Sequence, residues 1–134
     1  MTRLWSANIE EETTGNDTFR TALWTGSHSQ LTVMSVEPGD EIGWEVHDHN
    51  DQFLRIEDGA ARVQAGDAKE EVGEEQDVQD DWAVIIPTGT WHNVVNTGDR
   101  ALKLYSIYSP AEHPSGTVHK TKKEADAAEA AEHG

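Results

Sequence analysis

Gln52-Phe53-Leu54-Arg55-Ile56-Glu57-Asp58-Gly59-Ala60-Ala61-Arg62-Val63-Gln64 decides the fold class. Two short runs of β-forming residues flank an Asp-Gly pair, the strongest short-range signal for a β-hairpin. Gly66 closes the second run. Side chains alternate faces along a strand, so Gln52, Leu54 and Ile56 share one face while Phe53 and Arg55 share the other. The first set is expected to line an apolar interior, and Arg55 to meet acids outside it.

Outward from the hairpin the same pattern repeats. Thr21-Ala22-Leu23-Trp24-Thr25 and Gln30-Leu31-Thr32-Val33-Met34-Ser35-Val36 read as strands, and Glu37-Pro38-Gly39-Asp40 as a turn. Residues 41–49 read as the next strand. Trp82-Ala83-Val84-Ile85-Ile86 is a nearly continuous apolar run, the pattern of a buried strand. Pro87-Thr88-Gly89 ends it, and further strands are expected over residues 91–95 and 101–108. Residues 67–81 carry eight acids and read as a solvated loop or exposed hairpin; their spacing does not fit a calcium loop. Residues 10–17 read as a polar loop. Residues 125–132 have helix-forming composition but no apolar stripe, so a frayed helix or disorder is expected there. Many short strands with almost no helix define an all-β sandwich or barrel.

The chain of 134 residues fits one domain. Residues 1–29 are expected to pack on the barrel as an N-terminal strand and loop segment. Residues 30–110 form the barrel core, and residues 111–134 a loop and polar tail. The absence of cysteine excludes disulfides, thiolate metal sites and a cysteine nucleophile. The net charge of -16, from 26 acidic and 10 basic residues, argues against nucleic acid and anionic membranes as partners. The acid surplus resembles that of halophilic proteins. No apolar run approaches the ~20 residues of a membrane helix, and the first residues lack a signal-peptide core, so a cytoplasmic location is expected. No Gly-x-Ser-x-Gly elbow, Walker loop or dinucleotide fingerprint is present.

The residues that carry chemistry lie just before the hairpin. In an extended strand Glu45, His47 and His49 share a face, and His92 follows the Pro-x-Gly turn. Imidazole and carboxylate suit Fe, Mn, Ni, Zn or Cu rather than Mg or Ca. Glu45, His47 and His92 make a set of two histidines and one carboxylate, which leaves coordination positions open. Gln52 either adds an amide oxygen or orients a ligand, and His49 is an auxiliary candidate. The competing reading is that these are ordinary polar residues at a barrel mouth.

Two motifs here resemble those of the cupin superfamily. The first, G-x5-H-x-H-x3,4-E-x6-G, is anchored by Gly39 and Gly59 and places Glu45, His47 and Gln52 at its three ligand positions. The second, G-x5-P-x-G-x2-H-x3-N, matches Pro87, Gly89, His92 and Asn96, with Asp81 where glycine is usual. Asp tolerates the left-handed backbone conformation that glycine there serves. The resemblance implies a cupin jelly roll, a double-stranded β-helix, with a divalent transition metal (Fe, Mn, Ni or Zn) held by Glu45, His47, Gln52 and His92. Glu45 replaces a histidine and Gln52 replaces the glutamate of the family pattern.

Ile42-Gly43-Trp44-Glu45-Val46-His47 and Asp51-Gln52-Phe53-Leu54-Arg55 further resemble a subgroup of small single-domain cupins. These are loosely similar to the cupin part of mannose-6-phosphate isomerases. Strand parity places Leu54 and Ile56 with Gln52 around the pocket, and because Tyr105 and Tyr108 have opposite parity at most one of them reaches it, here expected to be Tyr105. Beyond that, the resemblance implies a site for a small polar molecule, and a homodimer is expected. The activity it implies is that of a metal-dependent isomerase or dioxygenase. The alternative is a non-catalytic ligand-binding or sensing barrel with a vestigial metal site.

Overall fold

A computed structural model of the chain describes residues 3–133; Met1, Thr2 and Gly134, at the tips of the expected terminal segments, lie outside them. The elements run α1 (Ile9–Thr14), β1 (Arg20–Thr25), β2 (Gln30–Val36), β3 (Asp51–Asp58), β4 (Ala60–Gly66), β5 (Glu74–Gln79), β6 (Ala83–Ile86), β7 (Trp91–Asn96), β8 (Leu102–Ser109), β9 (Val118–His119) and α2 (Lys122–His133). The strands form two antiparallel sheets, ordered β6-β3-β8-β2-β1-β9 and β5-β4-β7. This is the expected all-β jelly roll. No helix among the described residues is long and apolar enough to cross a membrane.

Period-2 alternation builds the core. Met34 and Val36 of β2, Leu54 and Ile56 of β3, and Leu102 and Leu104 of β8 face inward from the larger sheet. They meet Ala61 and Val63 of β4, Val78 of β5 and Val94 of β7 in one buried cluster. Burial of such side chains contributes roughly 1.5–3 kcal/mol each. The hairpin between β3 and β4 turns at Gly59, whose φ of 116° no β-carbon-bearing residue adopts comfortably. Asp81, where glycine was the family expectation, has a φ of 73°, the left-handed conformation that Asp tolerates.

Four expectations are corrected. Residues 41–49 are not a continuous strand: only two isolated bridges, Glu41 to Val95 and Glu45 to His92, tie them to β7. Gly43, at a φ of 107°, breaks the extended run between them. The apolar run that forms β6 is buried on one face only: Ile86 and Val84 pack on the core, but the strand is the edge of the larger sheet and leaves Ile85 70% exposed. Residues 10–17 are not all loop, because Asn8 caps α1 by accepting a hydrogen bond from the Glu11 amide at 3.1 Å. The C-terminal tail is an ordered helix. Thr121 Oγ1 accepts from the Glu124 amide at 3.2 Å, Glu124 accepts from the Lys120 amide at 3.1 Å, and Ala125 is buried in the core. Thr121-Lys122-Lys123-Glu124 is thus a capping-box pattern.

The outer face of the larger sheet carries an apolar band. Trp24 pairs with Leu31, Leu31 with Ile107, Ile107 with Phe53, and Phe53 with Ile85. Directly opposed residues point to one face, so five strands contribute one side chain each to a continuous row. None of the five carries charge. Arg55 lies one row away and pairs with Glu57 and Asp81, as its parity required.

Candidate metal centre

Backbone pairing creates the site. Glu45 and His92 exchange both N–H···O bonds at 3.0 Å, so they sit opposite each other and project to the same side. Two residues on, the His47 carbonyl accepts from the Gly89 amide at 2.8 Å. The turn carrying Gly89 is pinned by Asp51, whose carboxylate accepts from the Thr88 amide at 2.9 Å and its hydroxyl at 2.8 Å. Glu45 Oε1 then lies 3.7 Å from His47 Nε2 and 3.8 Å from His92 Nε2. One ligand atom from each of the three residues falls within 4.8 Å of the others.

The far side of each imidazole is held. His47 Nδ1 donates to Glu112 Oε1 at 2.8 Å, and His92 Nδ1 donates to the Thr90 carbonyl at 2.9 Å. Hydrogen bonds of this kind fix ring orientation in metal sites. Both Nε2 atoms are buried without a hydrogen-bond partner. Buried polar atoms are normally paired, so two orphaned imidazole nitrogens facing one carboxylate fit a metal ion. Gln52 donates from Nε2 to Ser106 Oγ at 3.1 Å and Tyr108 Oη at 3.4 Å, leaving its Oε1 buried and unpartnered.

The electrostatics follow the same geometry. Burial pushes the Glu45 carboxyl up, but the neighbouring His47 and the charges of Arg20, His47 and His92 outweigh it and hold it at about 2. Burial pulls His47 down, yet Glu112 and Glu45 raise it to about 9. Burial dominates at His92, which is lowered. Burial, reinforced by Arg20, brings His113 down to about 4.

The C-terminal segment covers this cluster. Buried Gln30 accepts from the amides of Glu112 and His113 at 3.1 and 3.0 Å and donates to the His113 carbonyl at 2.7 Å. β9 pairs with β1, and α2 follows. Between this cover and the triad lies a cavity of about 240 Å³ reached by Arg20, Glu45, His47, Glu112 and His113. Trp44 and Trp91 line an adjoining, wider groove of about 750 Å³.

Of the residues singled out in the sequence, Glu45, His47 and His92 come together. His49 is exposed at the cavity rim, outside the close group of donors. Leu54 and Ile56 face inward, but both are fully buried in the core and do not line this cavity. Tyr105 is misplaced by the pocket expectation. It pairs with Val33 and Arg55, and its ring lies 6.2 Å from that of Phe53 on the outer face. Tyr108 takes the inward place instead, its ring 5.5 Å from that of His47. Sequence reasoning passed over Arg20 and Glu112. Arg20 shares the buried parity of β1 with Ala22, and a charge at an inward-facing strand position was its signal. Glu112 had none among 26 acids.

Jelly-roll topology with this cluster between its sheets is the cupin arrangement. The chain belongs to the cupin family, whose cupin-domain model matches residues 32–108. It is similar to YrkC, an uncharacterized protein of Bacillus subtilis (strain 168), at 56% identity over 122 residues; these cover 91% of this chain and 66%, just under two thirds, of that protein. L612 of Acanthamoeba polyphaga mimivirus, also uncharacterized, is 38% identical over 117 residues, 87% of this chain and 71% of that protein. Among solved structures, that of BH2720 from Bacillus halodurans has a TM-score of 0.91 at 55% identity, covering 93% of this chain and 95% of that one.

Proposed function

We propose that this cupin holds one divalent transition ion, Fe, Mn, Ni or Zn, between Glu45, His47 and His92, and presents it to a small polar molecule as an isomerase or dioxygenase would. The observation that carries this reading is the pair of buried, unpartnered Nε2 atoms on either side of the Glu45 carboxylate. Gln52 Oε1, equally unpartnered, is the candidate fourth donor. The ion would supply a Lewis acid that polarises a substrate oxygen. Glu112 and the Thr90 carbonyl hold the two imidazoles in their ligating orientation. Tyr108, raised by burial, keeps its hydroxyl protonated beside Gln52.

Metal analysis of protein purified without a histidine tag tests the reading. Close to one ion per chain is expected, at purification or after adding Fe(II), Mn(II), Ni(II) or Zn(II). Only traces bound, with no uptake of any of the four, would sink it.

One observation favours a second reading, a non-catalytic ligand-binding or sensing barrel. Protonated His47 lies between Glu45 and Glu112 and offsets one of their two charges without any ion. In that case His47 titrates near 9 in the protein as purified, and added metal does not displace its proton.

We further propose that the apolar band of the larger sheet seats a second copy of the chain. Five strands at ~4.8 Å spacing make a face about 20 Å wide, in keeping with the ~800 Å² per partner of a standard interface. At a net charge of -16, two copies repel except across a face such as this band, whose five residues carry no charge. The cytoplasmic location, expected from the lack of a membrane-length apolar run and of a signal-peptide core, and the halophilic habit, expected from the acid surplus, belong to the same reading.

A further inference from the structure

Arg20 opens β1 with its side chain turned inward, only 6% exposed. Among the described residues it forms no ion pair, and its Nε is buried without a hydrogen-bond partner. The guanidinium carbon sits 5.3 Å from the centre of the Phe19 ring, which shields one side of it. The same side chain lines the 240 Å³ cavity above the triad. A buried charge without a partner costs several kcal/mol, and a buried arginine is normally found against a carboxylate or phosphate. The carboxylate of Glu45 lines the same cavity. A metal ion in the triad claims that carboxylate and leaves Arg20 uncompensated.

We propose that Arg20 is the anchor for the anionic group of the ligand, and that the ligand is a small monocarboxylate, such as a hydroxy or oxo acid of a few carbons, bound between Arg20 and the metal. This rests on the metal reading above. The cavity volume is below the ~300–1,000 Å³ of drug-sized sites, which limits the ligand to a few carbons. Charge selects the class. A divalent ion together with Glu45, Glu112 and Arg20 leaves a single positive charge; the other acids at the cavity, Asp48 and Glu129, are exposed, where water and salt screen them. One negative charge on the ligand matches this; the two of a phosphate monoester exceed it. Glu112 does not compete for Arg20, because its oxygens face His47 and Asn50. His113 and His119 complete the cover without adding a carboxylate.

Calorimetric titration of the full chain tests this, first with Co(II) and then with glycolate and its neutral analogue glycolamide. Arg20→Met should bind Co(II) at least as well as the unmodified protein, since a nearby cation is removed. It should bind glycolate roughly 10–100-fold more weakly, the worth of a charge-assisted hydrogen bond, with glycolamide unchanged. Arg20→Lys keeps the charge and loses the planar fork; several-fold weakening is expected, and this variant decides the matter if Arg20→Met does not fold. Equal glycolate affinity in all three proteins, with Co(II) bound, overturns the Arg20 assignment alone. Inorganic phosphate binding more tightly than glycolate, in an Arg20-dependent way, overturns the carboxylate class. Failure of the unmodified protein to take up Co(II) overturns the metal reading instead, and this inference with it.

Discussion

Oε1 of Glu112 lies 2.8 Å from Nδ1 of His47, although 65 residues separate them in the chain. This contact fixes which nitrogen of His47 faces Glu45. Glu112→Gln keeps a hydrogen bond but removes the charge. Its metal affinity should fall about 10–100-fold, the usual consequence of losing such a partner. Competition against a chelating dye measures this. Unchanged affinity would mean that packing against Tyr108, and not Glu112, aims the ring.

His92 and His49 should behave oppositely. His92→Ala removes a buried donor paired with Glu45 through two backbone bonds and should abolish metal uptake. His49 is exposed at the rim, and His49→Ala should change affinity less than about threefold. Metal content after equilibrium dialysis distinguishes them. A larger loss for His49→Ala would move the centre toward the mouth.

The pH profile has a definite sign on each side. The folded-state value of His47, about 9, exceeds its unfolded value near 6.5. Its stabilisation of the metal-free protein is full below about 6.5 and is lost as pH rises through 9. His113, held near 4, takes up its proton more readily when unfolded, so stability falls as pH drops from about 6.5 toward 4. Glu45, lowered to about 2, extends the loss below its unfolded value near 4.3. These groups together place the metal-free optimum near pH 6.5. Metal competes with the His47 proton, so metal affinity should strengthen by up to about tenfold per pH unit between 6.5 and 9. Thermal unfolding with and without Zn(II) across this range reads both trends. A metal-induced rise in Tm that shrinks with pH contradicts the assignment of His47 as a ligand.

Light scattering after size exclusion should show two copies of the chain. Phe53→Asp or Ile85→Asp places a carboxylate in the outer band and should yield a monomer with unchanged metal content. A monomeric unmodified protein would assign the band to something else.

The strands were readable because their signal is local. Alternation over seven or eight residues defines β2 and β3, and Asp-Gly turns the hairpin into β4. Glycine spacing found Glu45 and His47 even though residues 41–49 are not a continuous strand. The misreadings have distinct causes. The caps at Asn8 and Thr121 are local signals too, but six- and twelve-residue helices with little apolar surface carry no periodicity to draw attention to them. The apolar β6 looked buried because composition cannot separate a core strand from an edge with a sticky face. Tyr105 and Tyr108 differ only in parity, and the sheet register decides between them. Arg20 and Glu112 meet the triad from β1 and from beyond β8, through contacts that no local pattern encodes.

The cover over the cavity gives the molecule an order of assembly. A chain leaving the ribosome releases all three donors, and then β8, before Glu112 and His113 emerge to dock on Gln30. The barrel can therefore close around an ion before its last segment is in place. Once Gln30 has clamped that segment, departure of an ion held by the proposed triad would depend on how often the clamp opens. Retention becomes a matter of rate as much as of affinity. Chelator-driven metal loss should then keep pace with hydrogen exchange at the amides of Glu112 and His113, and a loss much faster than that exchange would show that the ion has another way out.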